Sequence, residues 1–118
     1  MILTDKAKIK LLNFIFKNYN YDLNEIIKKE DDILINNKSF YLLPRTIQNA
    51  LIIDFLDSLD CLFIEINVLE DTEDEISYQC NLLDDSLRII YRGLDFRNRQ
   101  GAIDDVLKEA NNFINEKL

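Results

Sequence analysis

The strongest constraint on the fold is an alternation of apolar and polar residues with a period of two, between residues 61 and 92. In Cys61–Leu69 and Ile76–Leu82 the even positions are apolar, and Leu87–Arg92 continues the alternation. Successive side chains of a strand point to opposite faces, so this pattern is typical of strands with one solvated face. Because short links join the three segments, they predict an antiparallel meander.

Apolar residues at helical spacing lie on both sides of this segment and predict about four helices. The predicted helices are Thr4–Tyr19, Asp22–Lys29, Arg45–Ser58 and Arg99–Lys117. Thr4 and Asn98 are suitable N-caps, and Pro44 suits the first turn of the third helix. Asn36–Asn37 predicts a type I′ turn in a short hairpin within Ile33–Leu42. The expected fold class is therefore α+β, with a three-stranded meander and a short hairpin packed against the helices.

Length and composition indicate one domain over residues 1–118. An apolar fraction of 47% can fill a single core without disulfide or metal staples. Cys61 and Cys80 fall on opposite side-chain faces, so we expect free thiols in a reducing compartment. The chain contains no run of roughly 20 apolar residues and no basic-then-apolar leader, so we expect a cytoplasmic protein without a membrane segment. Its residue usage suggests an AT-rich bacterial or phage genome.

The negative charge is concentrated in one part of the chain. Thr46–Leu87 contains 11 Asp or Glu residues and no Lys or Arg, although the whole chain has 14 Lys and Arg and a net charge of −8. Like charges this dense destabilise a folded protein, so a function in binding is one explanation and simple solubility is the other. We expect the carboxylates to gather into one exposed patch. The predicted contact residues are Glu70, Asp71, Glu73, Asp74, Glu75, Asp84 and Asp85.

Catalysis and metal binding are poorly supported by the residue types. The chain has no His, which removes the most frequent general base and metal ligand. The acidic loop lacks the Gly and the distal Glu of a calcium-binding EF-hand loop, and nothing predicts burial of paired carboxylates. We therefore predict no catalytic residues, no metal site and no cofactor.

Four arginines, Arg88, Arg92, Arg97 and Arg99, are the other charged group of interest. Arg97 and Arg99 could hold a phosphate or carboxylate near the start of the last helix, but pairing of the four with the acids is the simpler interpretation. A pI of about 4.5 predicts repulsion from nucleic acid.

These features predict a protein-binding module and not an enzyme. We expect a small bacterial inhibitor of the immunity-protein kind, a monomer or weak dimer, that occludes the active site of a basic toxin domain such as a nuclease. The alternatives are a dimeric secretion or folding chaperone with an apolar groove, and a phage-encoded inhibitor of a host defence nuclease. A third is a small enzyme that uses the arginines on an anionic substrate.

Overall fold

The fold is described by a computed structural model that covers residues 3–26, 43–70 and 75–118, with only the backbone described for residues 16 and 19–26. In chain order its elements are α1 (Asp5–Ile26), α2 (Arg45–Ser58), β1 (Phe63–Glu70), β2 (Ile76–Leu83), β3 (Ile89–Phe96) and α3 (Arg99–Lys117). The α+β class is confirmed, and the strands form the predicted antiparallel meander in the order β1-β2-β3.

The described residues contain three helices, whereas about four were predicted for the whole chain. α1 spans Asp5–Ile26 and so continues through the positions where a break was expected. Asn20 is only a moderately poor helix former, and a growing helix adds one hydrogen bond for each residue it fixes. The predicted hairpin, Ile33–Leu42, lies outside the described residues.

The other helix ends agree closely with the sequence pattern. α2 and α3 have the predicted bounds, and Asn98 caps α3 by accepting a hydrogen bond from the Gly101 N–H at 2.7 Å. Pro44 occupies the N-cap of α2 and not its first turn, with extended backbone angles of φ −54° and ψ 146°. Its carbonyl accepts the N–H groups of Ile47 and Gln48, so it still starts the helix.

The core lies between one face of the sheet and the helices. α3 packs across β2 and β3, α1 packs on α3 and α2, and α2 contacts the edge strand β1. As predicted, Cys80 points into the core; Cys61 precedes β1 and is half-buried, and both thiols are free. Val68 was predicted to face inward with the other even positions of β1, but it is 52% exposed at the hairpin end of this edge strand.

The N-terminus of α1 is held by α3. Asn111 Oδ1 accepts the Thr4 N–H at 2.8 Å, and Asn115 Oδ1 accepts the Ala7 N–H at 2.9 Å. Thr4 precedes the helix as predicted, but its hydroxyl accepts hydrogen bonds from both asparagine amides. The N–H groups at the start of α1, which have no partner within the helix, are therefore satisfied partly by side chains more than 100 positions away in the sequence.

Candidate protein-binding surfaces

The hairpin between β1 and β2 carries the densest acidic segment of the sequence. Glu70 ends β1 and Glu75 precedes β2, and both side chains are exposed; Asp71, Glu73 and Asp74 lie outside the described residues. Glu75 Oε2 lies 3.7 Å from Nη1 of Arg97, and these side chains are 59% and 86% exposed. An ion pair this exposed contributes little to stability, about 0–1 kcal/mol, and it cancels one negative charge only.

Asp84 and Asp85 lie at the opposite end of the sheet. Glu70 pairs with Ile76 at the hairpin, whereas Phe63 pairs with Leu83 at the other end of the same two strands. Eight residues at roughly 3.3 Å each separate the two ends by about 25 Å. The expectation of a single patch is therefore wrong. Consecutive turns of an antiparallel meander necessarily alternate between the two ends of the sheet.

Asp84 closes the β2–β3 turn. Its Oδ1 accepts the N–H groups of Ser86 and Arg88, each at 2.9 Å, and its Oδ2 lies 3.3 Å from the guanidinium Nε of Arg88. These bonds, led by the Arg88 N–H, lower the pKa of Asp84 below its usual value. The carboxylate therefore satisfies backbone groups of its own turn.

The second carboxylate of that turn lies near a thiol. The pKa of Cys61 is raised, first by burial and then by the negative charges of Asp85 and Asp60. Two acids thus flank Cys61 at this end of the sheet. Because the thiol form is favoured, Cys61 has little of the thiolate character that reactive cysteines need.

The four arginines do not form one cluster. Arg88 pairs with Asp84 and Arg97 with Glu75, so the predicted pairing with acids is confirmed for these two. Arg99 stacks over the ring of Tyr78, with its guanidinium carbon 5.5 Å from the ring centroid.

A polar row that was not predicted as a unit crosses the face of the sheet opposite the last helix. Glu65, Asn81 and Arg92 occupy paired positions on the three strands. Asn81 Nδ2 donates to Glu65 Oε1 at 2.8 Å, and Arg92 Nε donates to Asn81 Oδ1 at 3.1 Å. These two hydrogen bonds satisfy the amide group of Asn81, a residue that is only 1% exposed. Alternation placed all three residues on the polar face, but only the register shows that they are aligned.

A second polar cluster lies between the sheet and α3. Tyr91 donates its hydroxyl hydrogen bond to Asp105 Oδ2 at 2.5 Å, and the Cys80 thiol lies 3.6 Å from the same oxygen. The bond to Asp105 is the main reason that the pKa of Tyr91 is raised. Burial is the main reason that the pKa of Cys80 is raised to about 11, and the Asp105 carboxylate adds to it. Both groups therefore stay protonated at neutral pH and donate to the carboxylate.

A groove of about 490 Å³ separates α1 from α2. Its floor contains the rings of Phe14 and Phe55, with centroids 5.7 Å apart and planes inclined at 54°. Lys10 and Lys17 stand on its α1 side, and none of the lining residues in the described part of the chain is a carboxylate. The remaining lining residues are Asn13, Asn18, Ser58 and Leu59. The groove is thus a basic and apolar surface on a strongly acidic chain.

Comparison with known proteins returned no family model, no curated protein and no solved structure that matches this chain. Within the described ranges, no group of three or more Cys, Asp or Glu side chains is arranged to hold a metal ion. The helices in the same ranges are all too short or too polar to cross a bilayer.

Proposed function

We propose that this chain is a small protein-binding inhibitor, most similar in kind to a bacterial immunity protein, that neutralises a basic toxin domain. The observation that carries the proposal is the density of acid at one hairpin, where Glu70–Glu75 contains five carboxylates in six residues. A nuclease is the natural example of a target, because its Lys- and Arg-lined cleft binds a polyanion that such a hairpin can imitate.

The hairpin end also carries exposed apolar side chains. Val68, Leu69 and Ile76 beside it are 52%, 42% and 58% exposed. Apolar contact gives affinity once charge attraction has brought two proteins together, so this mixture suits a partner surface better than charge alone. Asp84 and Asp85, about 25 Å away by strand length, would reach the same cleft only if the partner extended along the whole of β2. We therefore assign the primary contact to the hairpin end.

The test is to look for a basic toxin domain in the genes beside this one and to measure its association rates with this protein at low and high salt. Reversing two charges with Glu70→Lys and Glu75→Lys should slow association about tenfold or more at low salt, with a smaller effect at high salt. The matched control, Asp60→Lys with Asp85→Lys, reverses two charges at the other end of the sheet. Equal effects of the two pairs would contradict the assignment, and no inhibition of the neighbour's activity would contradict the function.

A chaperone for a secreted or unfolded segment is the second candidate, and the edge strand β3 favours it. Four exposed apolar residues, Leu87, Ile89, Ile90 and Leu94, lie in or beside that strand. An edge strand can accept an added strand from a partner through backbone hydrogen bonds. Titration with an unfolded segment separates the candidates, because only the chaperone should bind that segment. A phage-encoded inhibitor of a host nuclease would use the same hairpin on another target.

A further inference from the structure

The groove between α1 and α2 carries two ammonium groups, those of Lys10 and Lys17. Among the described residues, no carboxylate lies within 4.0 Å of the Lys10 or Lys17 ammonium group. The ion pairs between described residues are all made by arginines outside the groove. The floor is aromatic, and the opposite wall is formed by the last turn of α2. An occupant that fits must therefore present apolar side chains flanked by carboxylates.

The chain itself carries such a surface. We call Val68, Leu69, Glu70, Glu75 and Ile76 the hairpin shoulder, since they flank the β1–β2 hairpin. Its three apolar side chains are each more than 40% exposed, and its two carboxylates face solvent. Glu75 also pairs with Arg97, and Glu70 adds a second carboxylate, so the shoulder carries more acid than base.

The shoulder cannot enter the groove of its own chain. Leu59, at the groove, lies only four positions before β1 begins at Phe63, whereas the shoulder lies at the far end of that strand. The length of the strand, about 25 Å, keeps them apart. Contact between the two surfaces thus requires two molecules. If these are related by a two-fold axis, each shoulder enters the other's groove and every contact is made twice.

We propose that the groove accepts the hairpin shoulder of a second copy of this chain and that the protein forms a salt-sensitive homodimer. Phe14, Phe55 and Leu59 receive Val68 and Ile76, while the ammonium groups of Lys10 and Lys17 face Glu70, which shares that face of the strand pair. This inference does not depend on the proposed function. The dimer has one consequence for the proposed inhibitor. Because the dimer covers the hairpin, a basic partner must displace the second copy.

The experiment is sedimentation velocity over a concentration series at low and high salt. We expect reversible dimerisation that weakens with salt, and a dimer dissociation constant at least tenfold higher in Lys10→Glu with Lys17→Glu. The matched control, Lys6→Glu with Lys8→Glu, makes the same change on α1 outside the groove and should leave the constant within about threefold. Circular dichroism checks that each variant folds.

A charge swap tests the pairing itself. Adding Glu70→Lys and Glu75→Lys to the groove variant restores the opposite charges and should restore much of the dimer. A wild-type chain that stays monomeric at low salt would overturn the proposal. So would a dimer that the groove pair and the control pair weaken equally. The groove variant keeps its hairpin, so its binding to a basic partner tests the inhibitor proposal separately.

Discussion

Gly93 gives the sharpest quantitative test of the packing between the sheet and α3. A Cβ atom built at this position would lie 2.5 Å from Asp105 Oδ2, 2.8 Å from Cys80 Sγ and 2.8 Å from a ring carbon of Phe96. Contacts below 3.0 Å are essentially never observed for real Cβ atoms. Gly93→Ala must therefore displace the Asp105 carboxylate, which the Tyr91 hydroxyl holds at 2.5 Å.

The expected cost has two parts. Inserting a methyl group into a packed site costs about 1–3 kcal/mol. Disturbing a hydrogen bond to a charged acceptor costs about 1.5–3 kcal/mol when the bond is lost, and part of that when it lengthens. We expect Gly93→Ala to reduce the free energy of unfolding by about 2–4 kcal/mol, which lowers Tm by roughly 10 °C in a domain of this size.

The assay is equilibrium urea unfolding followed by circular dichroism, with Gly101→Ala as the matched control. A Cβ at Gly101 meets nothing closer than 3.4 Å, and alanine is the better helix former, so this change should be neutral or stabilising by up to about 1 kcal/mol. In a double-mutant cycle, Asp105→Ala should relieve part of the clash, with a coupling energy of about 1 kcal/mol or more. A loss below about 0.5 kcal/mol in Gly93→Ala alone would refute the packing described here.

Three further predictions concern titration and capping. Since the Cys80 pKa is raised from 9.0 to about 11 in the folded state, stability should fall as pH rises from 9 to 11, and Cys80→Ala should flatten this fall in alkaline urea titrations. Asn111→Ala should destabilise by about 1–3 kcal/mol by removing the acceptor of the Thr4 N–H, which thermal unfolding beside Asn112→Ala would measure. Asp84→Ala should destabilise the turn more than Asp85→Ala does. Because the Asp84 pKa is lowered, this difference should be present at neutral pH and vanish as acid protonates the carboxylate, and a persistent difference in acid would contradict the turn assignment.

The sequence already contained the information that divides the predicted contact residues between two surfaces. The density of acid between Thr46 and Leu87 is a property of the sequence and remains true in the folded chain. Its division between the two ends of the sheet follows from the antiparallel order, which the alternation had already predicted. The role of Asp84 depends on the local path of the turn, where Leu87 adopts a positive φ of 61° that β-propensity does not anticipate.

The sequence by itself determined the strands, the meander and the bounds of α2 and α3, because periods of two and of 3.6 residues reflect burial of one side of a local element. Tertiary structure alone decided which distant groups meet. It placed Asn111 and Asn115 at the start of α1, aligned Glu65 with Arg92 through Asn81, and set Lys10 beside an aromatic floor. Such contacts join residues whose separation along the chain has no period, so they arise only when the elements pack together.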